Sequence, residues 1–147
     1  MRSTAQSSSS KQGIAAGETI KKSLWDFKEQ EGDWVVINDM MVFKAAMTRD
    51  YSTIKNLQLI AKKINMLNVG NDMLRSMSNL QDLNLAGNEI AVIQNLECLK
   101  NLKSLNLGSN RIKEIPDNFN LPMLTYLNLD YNQIDKIQNL KGVKKLE

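Results

Sequence analysis

Leu80-Gln-Asp-Leu83-Asn-Leu85-Ala-Gly-Asn88-Glu-Ile90 is followed by Leu102-Lys-Ser-Leu105-Asn-Leu107-Gly-Ser-Asn110-Arg-Ile112 and then by Leu124-Thr-Tyr-Leu127-Asn-Leu129-Asp-Tyr-Asn132-Gln-Ile134. The step between copies is 22 residues, without insertion, and an isoleucine recurs three residues beyond each copy at Ile93, Ile115 and Ile137. So many positions held in register over three copies identify a repeat protein. Within each copy the leucines alternate: Leu83 with Leu85, Leu105 with Leu107, Leu127 with Leu129. Alternation places each pair on one face of a short strand. A strand this short cannot bury that face by itself. Stacking the copies edge to edge as a parallel sheet buries it, with the isoleucines and leucines of the return segments behind.

The pattern Leu-x-x-Leu-x-Leu-x-x-Asn-x-Ile-x-x-Ile resembles that of the leucine-rich repeat family, over residues 51–147. Its period is similar to that of the short intracellular subclass seen in phosphatase regulators, axonemal dynein light chains and the spliceosomal A-prime protein. The resemblance implies an α/β solenoid with a curved parallel sheet on its concave side. It implies that Asn88, Asn110 and Asn132 point inward as a structural ladder, their amides bonding the backbone of adjacent turns, which suits a group with both donors and an acceptor. It further implies a non-enzymatic scaffold or adaptor with a protein partner on the concave face, in a ciliary, cytoskeletal or phosphatase-associated assembly of the cytoplasm. A ribonucleoprotein-associated scaffold is the alternative, and a recognition module of a larger, truncated protein is a third reading. A fold alone does not assign a function.

Composition narrows the chemistry. The 147 residues include no histidine, one cysteine (Cys98) and 17 asparagines, most of which the repeats absorb. Imidazole catalysis and an intramolecular disulfide are excluded, and a single cysteine fits a reducing, intracellular compartment. Cys98 stands between Leu96 and Leu99, where a small buried thiol is expected. No nucleotide-binding, hydrolase or metal motif occurs, no N-x-S/T site, and no apolar run long enough to span a membrane. No cofactor, metal or small-molecule substrate is expected. The net charge of +3 falls wholly on residues 51–147, with Lys136, Lys141, Lys144 and Lys145 near the end as a solvated rim. Loose lysines of this kind are weak grounds for nucleic-acid binding.

The remainder of the chain frames the repeats. Residues 1–17 are Ser-rich and polar and are expected to be a disordered tail. Residues 18–50 read as an N-terminal helical cap. One helix runs over Thr19–Glu31 with Ile20, Leu24 and Phe27 on one face, and a second starts at Asp39 as its cap. A degenerate first repeat, from Ile54 through Leu57 and Leu59 to Ile64 and Leu67, carries Lys62 where the pattern has Asn. Its return segment is longer, with Gly70, Asn71 and Asp72 absorbing the excess and Met73, Leu74 and Met77 packing below. Pro116, Phe119 and Pro122 mark a later return segment as extended or short helical. Leu146 lies 22 residues after Leu124 and starts another repeat, so the chain is expected to be a fragment, with Leu127, Leu129 and Ile134 partly exposed.

The candidate partner-binding residues are those that project between the leucines. Asn84, Asn106 and Asn128 form one column, and Asp82, Ser104 and Tyr126 the next. Asp130 and Tyr131 belong to the rows beyond. Tyr126 and Tyr131 are the aromatic anchors, since a tyrosine buries area while keeping a hydrogen bond. The face is neutral to acidic, so direct nucleic-acid binding is not expected.

Overall fold

A computed structural model describes residues 34–67 and 73–147. The Ser-rich tail, the helix expected over Thr19–Glu31 and the turn at Gly70–Asp72 lie outside the described residues.

Four three-residue strands form one open parallel sheet in sequence order: β1 (Asn56–Gln58), β2 (Asp82–Asn84), β3 (Ser104–Asn106) and β4 (Tyr126–Asn128). The register follows the repeat, pairing Leu57 with Leu83, Leu83 with Leu105 and Leu105 with Leu127. Hydrogen bonding between copies continues past the strands. Thr125 N–H donates to Lys103 O at 2.8 Å, and Glu147 N–H donates to Thr125 O at 3.0 Å in the equivalent place. Past the ladder asparagine, Glu89, Arg111 and Gln133 donate to Ile64 O, Ile90 O and Ile112 O at 2.8–2.9 Å. Parallel copies in one register form a leucine-rich solenoid.

The core lies behind the sheet. Leu83, Leu85, Ile90, Ile93, Leu105, Leu107, Ile112 and Ile115 are buried, and Met73, Leu74 and Met77 are buried beneath the longer first return segment, which holds the one-turn helix α2 (Met73–Ser76). Return segments of the later copies are turns and extended chain, with a 3₁₀ turn at Leu140–Gly142. Leu127, Leu129 and Ile134 are only partly buried, and Ile137 is 67% exposed where Ile93 and Ile115 are 2% and 1%.

Ahead of the sheet, α1 (Asp39–Ala46) packs with Val42 buried and Met41 and Ala46 partly buried. Its cap is Asn38, whose Oδ1 accepts from Met41 N–H at 3.0 Å, and not Asp39, which is the first helical residue. Asp39 instead accepts the Tyr51 hydroxyl. Met47 closes the helix in the left-handed region at φ 57°. The run Trp34–Ile37 joins through a single parallel bridge, Val36 to Met66, supported by Asn65 bonding Val35 in both directions at 2.9 and 3.1 Å. It therefore pairs with the return side of the first repeat and adds no strand to the sheet.

Candidate protein-binding face

Each inward asparagine joins two copies. Asn110 Nδ2 donates to Leu85 O and Leu107 O at 3.0 and 2.9 Å, while its Oδ1 accepts from Ile90 N–H at 3.0 Å. Asn88 and Asn132 repeat the arrangement one copy earlier and one later. Every residue of this ladder thus reaches back to the copy before it. Position 62 belongs to the first copy, and among the described residues no earlier repeat stands before it to bond. Its backbone N–H is taken by Asn88 Oδ1 at 2.9 Å, and the Lys62 side chain is exposed.

Two further asparagine sets do similar work, and the sequence reading missed them. Asn95 and Asn139 bond Leu67 O and Ile115 O at 3.1 and 2.7 Å, and both take positive φ. Asn79 and Asn101 bond Ser52 O and Ser78 O at 2.8 Å. A signal was present in the sequence, since Asn95 and Asn139 lie two periods apart, but Asp117 interrupts them.

On the opposite face the register aligns the expected columns and lengthens both. Asp82, Ser104 and Tyr126 stand in line behind Asn56, and Asn84, Asn106 and Asn128 behind Gln58. The second column is held in place by its own backbone. Asn84, Asn106 and Asn128 each accept through Oδ1 from the N–H two residues on, at 3.1, 3.0 and 2.8 Å. Because the oxygen is engaged, Nδ2 is the group left to face outward, a row of donors about 4.8 Å apart by strand spacing. Gly108 leaves room for this row, since a Cβ there would lie 3.0 Å from Asn128 Oδ1 and 3.2 Å from Asn106 Oδ1.

The two tyrosines occupy different settings. Tyr126 opens β4 and is 51% exposed. Tyr131 is 86% exposed and sits in the turn after the strand at φ 54°, the position held by Ala61, Gly87 and Ser109 in the earlier copies. All four share the left-handed conformation, so the turn requires it whichever residue occupies it. Asp130 is exposed between the two tyrosines.

No group of three or more potential metal ligands occurs among the described residues. Burial, with Glu97 beside it, raises the Cys98 thiol above its ordinary range, and the thiol donates to Asn95 O at 3.3 Å. The thiol is half-buried rather than fully buried as expected. Of the late lysines, Lys145 contacts Met123 Sδ at 3.3 Å, while Lys141 and Lys144 border an open depression beside Asp117. No helix among the described residues is long and apolar enough to cross a membrane.

The family described as leucine rich repeats (2 copies) matches residues 78–121, and one described as leucine rich repeat matches residues 120–136. The chain carries leucine-rich repeats. Among solved structures it is similar to an internalin from Listeria monocytogenes, at 30% sequence identity and a TM-score of 0.56. That match covers 65% of this chain and 27% of the internalin, so the chain spans little more than a quarter of that protein's length. No curated protein matches. Leucine-rich repeats generally serve as protein-interaction modules.

Proposed function

We propose that this leucine-rich repeat protein is a non-enzymatic adaptor that holds a protein partner across the concave face of β1–β4. The supporting observation is the column Asn84–Asn106–Asn128, whose oxygens are tied to the backbone and whose donors are left outward beside the exposed Tyr126. A pre-set polar row next to an aromatic anchor lowers the ordering cost of binding. Asp82, Ser104 and Asp130 supply acceptors around it, and Tyr131 extends the contact at the turn.

We place the assembly inside the cell, in the cytoplasm, on the single cysteine and the absence of an N-x-S/T site. A ciliary or cytoskeletal setting, or a phosphatase-associated one, rests on the 22-residue period alone. The test compares the full chain with a Tyr126→Ala/Tyr131→Ala version in pull-downs from cell extract, read by mass spectrometry. A partner retained by the first and lost by the second, with equal circular dichroism, supports the adaptor. Identical partner sets for both refute the role given to the tyrosines.

A further inference from the structure

The departure from the repeat pattern at Lys62 has a counterpart in the fold. A groove of about 430 Å³ lies between α1 and β1, lined by Asn38, Met40, Met41, Lys44, Ala45 and Gln58, with Lys62 at its margin. Gln58 heads the asparagine column, so the groove is the N-terminal end of the concave face. At 100° per residue, Met40, Met41, Lys44 and Ala45 fall on one side of α1 and Asp39 on the other. The Asp39 carboxylate is there engaged by the Tyr51 hydroxyl.

The lining therefore combines two thioethers and a methyl with two ammonium groups and the amides of Asn38 and Gln58. Met40 remains 54% exposed, and Ile60, heading the row that continues with Ala86 and Gly108, is 48% exposed. Neither lysine has an ion-pair partner among the described residues, and no carboxylate lines the groove. Methionine adapts to varied apolar shapes, and two cations beside it select for anionic neighbours.

We infer that this groove takes a short acidic segment of the partner protein, an aliphatic side chain entering between Met40 and Met41 while flanking carboxylates face Lys44 and Lys62. The inference rests on the adaptor reading and deepens it by naming what the partner must carry. It also gives Lys62 a purpose: a position freed from the ladder places a charge at the mouth of a binding groove.

The test uses the full chain with methyl-labelled methionine and two probe peptides, acetyl-Glu-Glu-Leu-Leu-Glu-Glu-amide and its lysine counterpart acetyl-Lys-Lys-Leu-Leu-Lys-Lys-amide. The acidic peptide is expected to shift the Met40 and Met41 methyl signals saturably, and the basic one to bind at least about tenfold more weakly. In Lys44→Glu/Lys62→Glu that preference reverses, while Tyr126→Ala leaves it intact. The inference is overturned by equal shifts from both peptides, by a preference indifferent to the charge reversal, or by no saturable shift up to about millimolar peptide. The adaptor reading is scored separately by the Tyr126→Ala/Tyr131→Ala pull-down, so a failed groove and a failed concave-face adaptor give different results.

Discussion

Replacing Asn110 by alanine tests the ladder, and its cost can be worked bond by bond. The carbonyls of Leu85 and Leu107 each accept from two asparagines, Asn88 or Asn132 being the second donor. Each keeps one bond after the change. The N–H of Ile90 has no such reserve, since Asn110 Oδ1 is the acceptor it uses, and Ile90 is fully buried. An orphaned buried donor costs about 1–3 kcal/mol, and with the lost donor bonds the total is about 2–4 kcal/mol. Asn132 makes the same bonds, but Leu129 and Asn132 are only partly buried. Water can replace some of its contacts, so Asn132→Ala should cost roughly half as much. Urea titration followed by circular dichroism measures both, with a lower midpoint at constant slope expected. A loss for Asn132→Ala equal to or larger than that for Asn110→Ala would refute the reasoning. Asn110→Asp adds a sign test. Its carboxylate would face two carbonyls in a buried site, raising its folded-state pKa above the unfolded one. The resulting destabilisation is full at neutral pH and relieved as pH falls through the raised value.

Gly142→Ala should destabilise by about 1–3 kcal/mol, the cost of overpacking. A Cβ there would lie 2.3 Å from Phe119 O, which thermal denaturation would register as a lower midpoint. Gly108→Ala should cost less, about 1 kcal/mol, because the crowded groups are side-chain amides able to swing away. Its signature is a shifted Asp130 amide resonance as the Asn128 Oδ1 bond opens. Cys98, with its thiol raised by burial, should react with a thiol-specific reagent more slowly than a free cysteine at pH 7. The rate should climb as pH approaches the raised value.

The sheet was legible because one period fixed everything about it. Once Leu83, Leu105 and Leu127 align, pairing, face and the Asn88–Asn110–Asn132 ladder follow together. The columns of the proposed binding face follow too, although their heads, Asn56 and Gln58, emerge only from the register because the first copy reads as degenerate. Residues 34–47 carry no comparable rhythm. The run Trp34–Ile37 is too short to have a period, and its bridge to Met66 depends on how the first return segment lies. The groove beside α1 was illegible for the same reason, since it forms between a helix and a strand that no repeat relates. The pattern marks Lys62 only as a departure from Asn, and its place in the groove lining depends on where α1 lies. The helix cap was misplaced by one residue because Asn38 and Asp39 are equally able to accept.

The shared carbonyls bear on how this solenoid comes apart. Leu85 O and Leu107 O each bind asparagines from two successive copies, so opening one copy removes half of its neighbour's support. Leu129 O holds Asn132 alone among the described residues, and Ile137 beside it is bare. Native-state hydrogen exchange should therefore rise in steps toward β4, with Leu107 N–H slower than the amides of the last turn and Leu85 N–H slower still. Each step would report the grip of one asparagine on the copy before it, so that the exchange rate of an amide measures how many shared carbonyls stand between it and the nearest loosened copy.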